Sequence, residues 1–352
     1  MTKDSPKQGR RPFSWQKLLG GAASLALLIL IFVGLIPRFS SYSGAWTHVT
    51  RLDIWSWVAI ATAAVVNQIS GVWPYQAAMP GLRFGHGLVQ VETATAIASA
   101  VPAGGAVAIG MTYTMFSSFG FTDVAISACV ITTGIWNIGA KLALPVVAVA
   151  LLALTGHVTA RVDEAALTGV GAIVVAGMAL WLIIRSKSSA HRLGQLADRV
   201  INWVLHFFKR PAADRVERSL VHFGAETAHI VRRRAWFLTG ASLVNQAAGF
   251  VLVLIIVRAI GITSGQVTVE AVFTSFALSR LAGAIPITPG GLGTSDAAFI
   301  STMATFGASS THALTADLVW RLTTYLLPML GGIVTYLIWL RWQSRSTTRL
   351  KH

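Results

Sequence analysis

Acidic residues are scarce in this chain: 13 Asp and Glu stand against 28 Lys and Arg, and charged residues of both signs make up only 12% of 352 residues. Hydrophobic residues reach 54% and the mean hydropathy is +0.64. That composition excludes an ordinary soluble protein, so lipid is the expected solvent for most of the chain. A single cysteine, Cys129, excludes an internal disulfide and a cysteine-rich metal site; its apolar neighbours read as packing. There is no HExxH pair, no His/Cys cluster and no Walker-type phosphate loop. The expectation is therefore no bound metal, no cofactor, no catalytic residue and no fuel of the chain's own.

What is present is a series of long uncharged runs, at 18–36, 54–82, 124–140, 165–184, 235–257 and 322–340. Each meets or approaches the ~20 apolar residues that cross a bilayer core, which predicts six full spans. The first follows Lys3, Lys7, Arg10, Arg11 and Lys17 and has no small-x-small cleavage site after it, so it reads as an uncleaved signal anchor. The net charge of +15 is concentrated in three segments, 1–17, 185–235 and 341–352, which hold 20 of the 28 Lys and Arg. The positive-inside rule makes these cytoplasmic. The charge thus reads as membrane topology and not as nucleic-acid binding, with a multi-pass protein in the cytoplasmic membrane and both termini inside. The predicted organisation is a basic tail at 1–17, a first membrane half at 18–184, a basic segment at 185–235, a second membrane half at 236–341 and a basic tail at 342–352. Within 185–235, Leu193, Leu196, Val200, Ile201, Val204, Leu205 and Phe208 recur at helical spacing. An amphipathic helix on anionic lipid and a solvated, topology-fixing linker both fit. Trp55, Trp57, Trp73, Trp236, Trp339 and Trp342 read as an interfacial belt.

The chain also repeats itself. At an offset of 178, Val66, Asn67, Gln68 and Gly71 align with Val244, Asn245, Gln246 and Gly249, and Gly87, Val89, Val91 and Glu92 with Gly265, Val267, Val269 and Glu270. After nine inserted residues Pro102, Gly104, Phe119 and Gly120 align with Pro289, Gly291, Phe306 and Gly307, and Trp136 and Pro145 with Trp320 and Pro328 at slightly shorter offsets. The first copy covers about 54–155. The predicted topology gives the copies opposite senses, an inverted repeat of the kind secondary transporters use. Counting each Pro-Gly region as a complete span would change that parity.

Each copy contains two apolar arms joined by proline and glycine. In the first copy Pro102, Gly104 and Gly105 lie between the arms; in the second, Pro286, Pro289, Gly290, Gly291 and Gly293 lead to Asp296. Helix cannot continue through such a stretch, and open backbone at membrane depth survives only against protein or a wet cavity. The fold class expected is an all-α integral membrane bundle with an inverted internal repeat and two Pro-Gly-rich re-entrant hairpins. Broken helices expose N-termini that favour an anion such as phosphate; close helix packing through glycine is the other reading. Charge at depth adds Arg280, Arg321 and Lys141, with Glu92, Glu270, Asp296 and Asp317 as acids that compensate cations or carry protons. Asp317 and Arg321 are four apart and can pair on one helix face, and Arg280 lies about two turns before the Pro-Gly stretch. Lys141 also fits a snorkelling role, Glu92 and Glu270 fit the starts of their arms as dipole partners, and Asn67, Asn245, Gln68 and Gln246 read as bridges between helices.

The run Pro286-x-x-Pro289-Gly290-Gly291-Leu292-Gly293, an acid three residues on, and then Asp317, Arg321, Tyr325 and Pro328 at intervals of four, four and three resemble the lysylphosphatidylglycerol synthase transmembrane-region family, of flippase-like type. The resemblance extends loosely over 18–345. It implies lipid translocation, and it carries over Pro289, Gly290, Gly291, Gly293 and Arg321, with Asp296 where the family usually has Glu. Members that transfer aminoacyl groups carry a large soluble domain after the membrane region; here the sequence stops at His352, so no synthase activity is expected. The reading that follows is a non-enzymatic translocase of an anionic or polyprenyl-phosphate-linked lipid, with Arg280, Pro289, Gly290, Gly291, Gly293, Asp296, Asp317, Arg321, Gly104 and Gly105 at the site. A secondary transporter of a small anion and a non-transporting partner of an envelope lipid-modifying enzyme are the alternatives. A membrane glycosyltransferase would need external acids near the first span, where only Asp53 stands.

Overall fold

The computed structural model describes residues 47, 49–100, 104–155, 215–284 and 291–349, with the backbone alone at 215–233 and 344–349. Among these residues there is helix and no strand. The first half holds α1 (Ile54–Ser70), α2 (Trp73–Ala78), α3 (Phe84–Ala100), α4 (Gly104–Ser118) and α5 (Asp123–Thr155). The second half holds α6 (Arg215–Ala259), α7 (Val269–Ala282), α8 (Thr294–Thr305), α9 (Ser310–Arg321), a π-helical turn (Leu322–Leu326) and α10 (Leu327–Arg349).

Local chemistry sets the boundaries. Asp53 caps α1 by accepting from the Ser56 amide at 3.1 Å. Hydrogen bonds from the Ser56 side chain and then its backbone hold this exposed carboxyl below the usual carboxylate range. Thr268 and Ser309 cap α7 and α9 in the same way. At the ends of α4 and α8, Gly120 and Gly307, equivalent in the repeat, take positive φ of 91° and 98°. The following amides, Phe121 and Ala308, reach back to the carbonyls of Phe116 and Met303, which are equivalent as well. This is the six-to-one bond of a Schellman ending, made twice at corresponding places.

Four stretches are long and apolar enough to cross a membrane: Ile54–Ala78, Asp123–Thr155, Arg234–Ala259 and Ser310–Gln343. Among the described residues they match four of the six runs read from the sequence, the 54–82 run extending four residues past Ala78. The other two, 18–36 and 165–184, lie outside the described residues, as do the 1–17 tail and the amphipathic pattern at 193–208. Leu154, Trp55, Trp236 and Phe237 are exposed, as expected where hydrocarbon and not water covers the surface. Trp339 departs from the interfacial reading. It is 4% exposed, packs with Val89 and Met115, and donates to Ser118 Oγ at 2.8 Å, because a partner for its N–H lies on α4 inside the bundle.

Between the spans lie two helix pairs of 17 and 15 residues (α3, α4) and of 14 and 12 residues (α7, α8), all shorter than the ~20 that a crossing needs. Each pair folds back and packs on itself, while α10 runs along α3 and α5 along α7. The halves meet where α1 packs on α6. There Asn245 Nδ2 donates to Ser70 Oγ at 2.9 Å and to the Asn67 carbonyl at 3.4 Å. The space beside Gly71 is bounded by Asn245 Nδ2, and the space beside Gly249 by Asn67 Oδ1. Asn67 and Gly71 align with Asn245 and Gly249 in the sequence, so each asparagine lies beside the glycine of the other segment and the contact is reciprocal. Phe276, Phe299, Met303 and Trp320 belong to the largest core among the described residues, which the second half builds together with Ile60, Ala63 and Ala64 of α1 and Leu144 and Ala148 of α5.

Candidate functional site

The second helix pair is closed by glycine. Gly291 has φ +76°, and a Cβ on it would lie 2.8 Å from the Gly283 Cα, so the end of α7 and the approach to α8 touch backbone to backbone. Serines fasten the contact. Ser279 Oγ donates to the Ser295 carbonyl at 2.9 Å, and Ser295 Oγ to the Gly291 carbonyl at 2.6 Å. Gly293, with φ +87°, places its N–H 2.7 Å from Asp296 Oδ2. The N-terminus of α8, where the sequence suggests a bound anion, therefore already holds one: the carboxylate of Asp296, in its own first turn.

Asp296 is 2% exposed and pairs with Arg321. Arg321 lies on α9, one helical turn after Asp317, with 3.8 Å between its Nε and Asp317 Oδ1. It also donates to Ser295 Oγ and, at 3.5 Å, to Tyr325 Oη, and it lies 5.3 Å from the ring centres of Trp320 and Tyr325. Tyr325 sits in the π-helical turn. Pro328, just beyond it, has no N–H with which to continue the ladder, and the hydroxyls of Thr323 and Thr324 both donate to the Trp320 carbonyl at 2.8 Å. One cation thus ties α8, α9 and the turn together.

Arg280 stands apart from this network. It lies in the last turn of α7, where the helix dipole favours a cation. Its one polar contact among the described residues is to Gln246 Oε1 at 3.3 Å, and its enclosed Nε has no acceptor there. Its charged neighbours include two cations, Arg321 and Lys141 of α5. Both carboxylates of the group pair with Arg321, so neither Arg280 nor Lys141 has an ion-pair partner among the described residues, and the three cations exceed the two carboxylates by one.

The predicted site is thus brought together in part. Gly291, Gly293, Asp296, Asp317 and Arg321 form one cluster, with Arg280 beside it. Pro289 and Gly290 lie outside the described residues. Gly104 and Gly105 belong to the other helix pair and differ from each other. A Cβ on Gly104 would be 2.6 Å from the carbonyl oxygens of Ile97 and Ala98, whereas one on Gly105 would meet nothing within 4 Å. Gly104→Ala is therefore expected to destabilise by about 1–3 kcal/mol through overpacking, and Gly105→Ala to be neutral or to stabilise by about 0.5–1 kcal/mol. Thermal unfolding of the two purified variants would separate them. Sequence reading missed Ser279 and Ser295, which carry no charge or periodic signal, and did not place Lys141 beside Arg280, a contact made across α5 and α7.

A family model described as the lysylphosphatidylglycerol synthase TM region matches residues 17–332. No curated protein sequence matches the chain.

Proposed function

The chain belongs to the lysylphosphatidylglycerol synthase TM-region family, and from that premise we propose that it is a lipid translocase, moving an anionic or phosphate-linked headgroup across the cytoplasmic membrane while the acyl or prenyl tail stays in the bilayer. The observation that carries the proposal is the uncompensated cation pair. Positive charge at membrane depth is costly without a partner, and among the described residues Arg280 has cationic neighbours, no carboxylate of its own and an Nε without an acceptor. A phosphodiester would supply the missing negative charge and the missing acceptors. In this reading the short pairs α3–α4 and α7–α8 re-enter the membrane from opposite faces, both termini are cytoplasmic, and the headgroup passes between the halves. The arm lengths and the reciprocal contact of Asn67 and Asn245 support that inverted plan. No catalytic role is proposed for any residue.

Arg280→Ala tests the reading. Losing the cation forfeits a charge-assisted contact of about 1.5–3 kcal/mol with the headgroup, so translocation is expected to fall tenfold or more. Stability is expected to hold or rise, because no acid among the described residues pairs with Arg280. The assay is headgroup translocation in proteoliposomes containing phosphatidylglycerol, lysylated phosphatidylglycerol or a polyprenyl-phosphate sugar. Unchanged flux in Arg280→Ala would remove the phosphate from this site. The same cation pair would also accept a small soluble anion; uptake of labelled phosphate with no movement of any lipid would select that transporter instead. Flux of neither would leave a non-transporting partner of a lipid-modifying enzyme.

A further inference from the structure

Four acids stood out in the sequence at depth, and their surroundings differ. Asp296 and Asp317 share Arg321, and Glu270 lies in the first turn of α7, where the helix dipole receives it. Glu92 has neither. Its repeat partner Glu270 begins a helix, but α3 starts eight residues before Glu92, at Phe84, because the chain breaks earlier, at Pro80 and Gly81. Glu92 therefore sits mid-helix, 6% exposed.

Two described elements, α1 and α10, bound its carboxyl. From α1, Gln68 Nε2 donates to Glu92 Oε2 at 3.3 Å. From α10, a Cβ on Gly331 would lie 2.9 Å from the same oxygen, and one on Gly332 would lie 2.8 Å from the Glu92 backbone oxygen and overlap the Ala96 side chain. The two glycines let α10 close over the acid while leaving room for its carboxyl and nothing larger. Among the described residues, no charged or titratable side chain on α1, α2, α4, α10 or α3 itself faces it. Among the described residues Gln68 is its one side-chain hydrogen-bond partner, and one residue along α3 Thr93 bonds Thr335 of α10 at 3.1 Å.

Gln68 has a counterpart. Its repeat equivalent, Gln246, turns the other end of its amide, the oxygen, to Arg280. A glutamine amide serves an acid or a cation equally well, depending on which end faces it. The two glutamines are the chain neighbours of Asn67 and Asn245, which meet where α1 crosses α6, so α1 and α6 carry contacts both to Glu92 and to Arg280.

We infer that Glu92 is a proton-binding site, and that translocation depends on the proton it binds. The inference rests on the translocase reading. An enclosed carboxyl without a counter-charge differs sharply in solvation free energy between its two protonation states, which a proton-responsive group requires. One carboxyl and one amide N–H offer too few oxygens for a metal cation. With the proton on, the carboxyl can remain under Gly331 and Gly332. With the proton off, the charge favours separation of α3 from α10, and α1, which bonds Glu92 through Gln68 and packs on α6, links that change to Gln246 and Arg280.

The test is headgroup flux in proteoliposomes across a series of pH values, with the membrane potential clamped, for wild type, Glu92→Gln and Gln68→Leu. Wild-type flux is expected to change by about tenfold per pH unit on one flank of its profile, the slope of one titrating group. Glu92→Gln, which keeps the shape without the titration, is expected to give a flat profile, and Gln68→Leu to move the midpoint. A flat wild-type profile, or a wild-type profile retained in Glu92→Gln, overturns the inference while leaving translocation standing. If Glu92→Gln does not fold, an unmoved midpoint in Gln68→Leu overturns it. Dependence on sodium instead of pH overturns it in favour of a metal cation. Absence of flux in wild type with every lipid defeats the translocase reading itself.

Discussion

Arg321→Ala is expected to destabilise the protein by about 3–5 kcal/mol, more than any other single substitution at the site, because it strands two acids at once. Asp296 and Asp317 are 2% and 1% exposed and have no other cation among the described residues. The loss goes beyond charge, since the guanidinium also holds Ser295 and lies against the Trp320 and Tyr325 rings. For the same reason Arg321→Lys, which keeps the charge but not the planar fork, is expected to recover only part of the loss. Replacing Asp296 and Asp317 with Asn alongside Arg321→Ala is expected to recover more. Thermal unfolding of the purified variants in detergent reads all three. An Arg321→Ala protein as stable as Arg280→Ala would mean that the ion pairs do not hold α8 to α9.

Gly291→Ala carries the second large effect. The left-handed backbone at φ +76° costs a non-glycine residue about 1–2 kcal/mol, and the added methyl would lie 2.8 Å from Gly283 Cα, with no flexible side chain to yield. Overpacking of that kind adds about 1–3 kcal/mol. The strain falls on the carbonyl that anchors Ser295, and through Ser295 on Arg321. Translocation is therefore expected to fail along with stability. Gly283→Ala is the control. Its Cβ would meet Ser279 O at 3.3 Å and Ser295 Cβ at 3.4 Å, contacts that a small shift relieves. Equal loss in the two variants, by unfolding midpoint and by flux, would contradict the backbone-contact explanation.

Much of this architecture was legible in the sequence because bilayer physics writes it in long runs. The 54–82 and 235–257 runs correspond to α1–α2 and the membrane part of α6, and the offset of 187 found helix ends that share their capping bonds. Within the site, Asp317 and Arg321 were legible as a pair because they lie one turn apart on one helix. Asp296 and Arg321 were not, since their pairing depends on how α8 meets α9. Glu92 illustrates the limit of a repeat. Its alignment with Glu270 is sound, yet the two copies start their helices at different points, and the same letter lies mid-helix in one and at the dipole in the other. Trp339 marks a similar limit, because hydropathy cannot tell an aromatic residue at the lipid boundary from one whose N–H has found a serine indoors.

The length of α6 has a mechanical consequence. As one unbroken helix of 45 residues it measures about 68 Å at 1.5 Å per residue, whereas a bilayer with its headgroups is about 40–45 Å thick. The membrane-crossing part, Arg234–Ala259, meets α1 at the asparagine contact, and the remaining turns continue past it without a hinge. A rod pinned within the bilayer and free of breaks acts as a crank. A tilt of about ten degrees at that pin displaces the far end by several ångströms, so the rocking that the proposed translocase requires would be magnified at the arginine-bearing end of the helix.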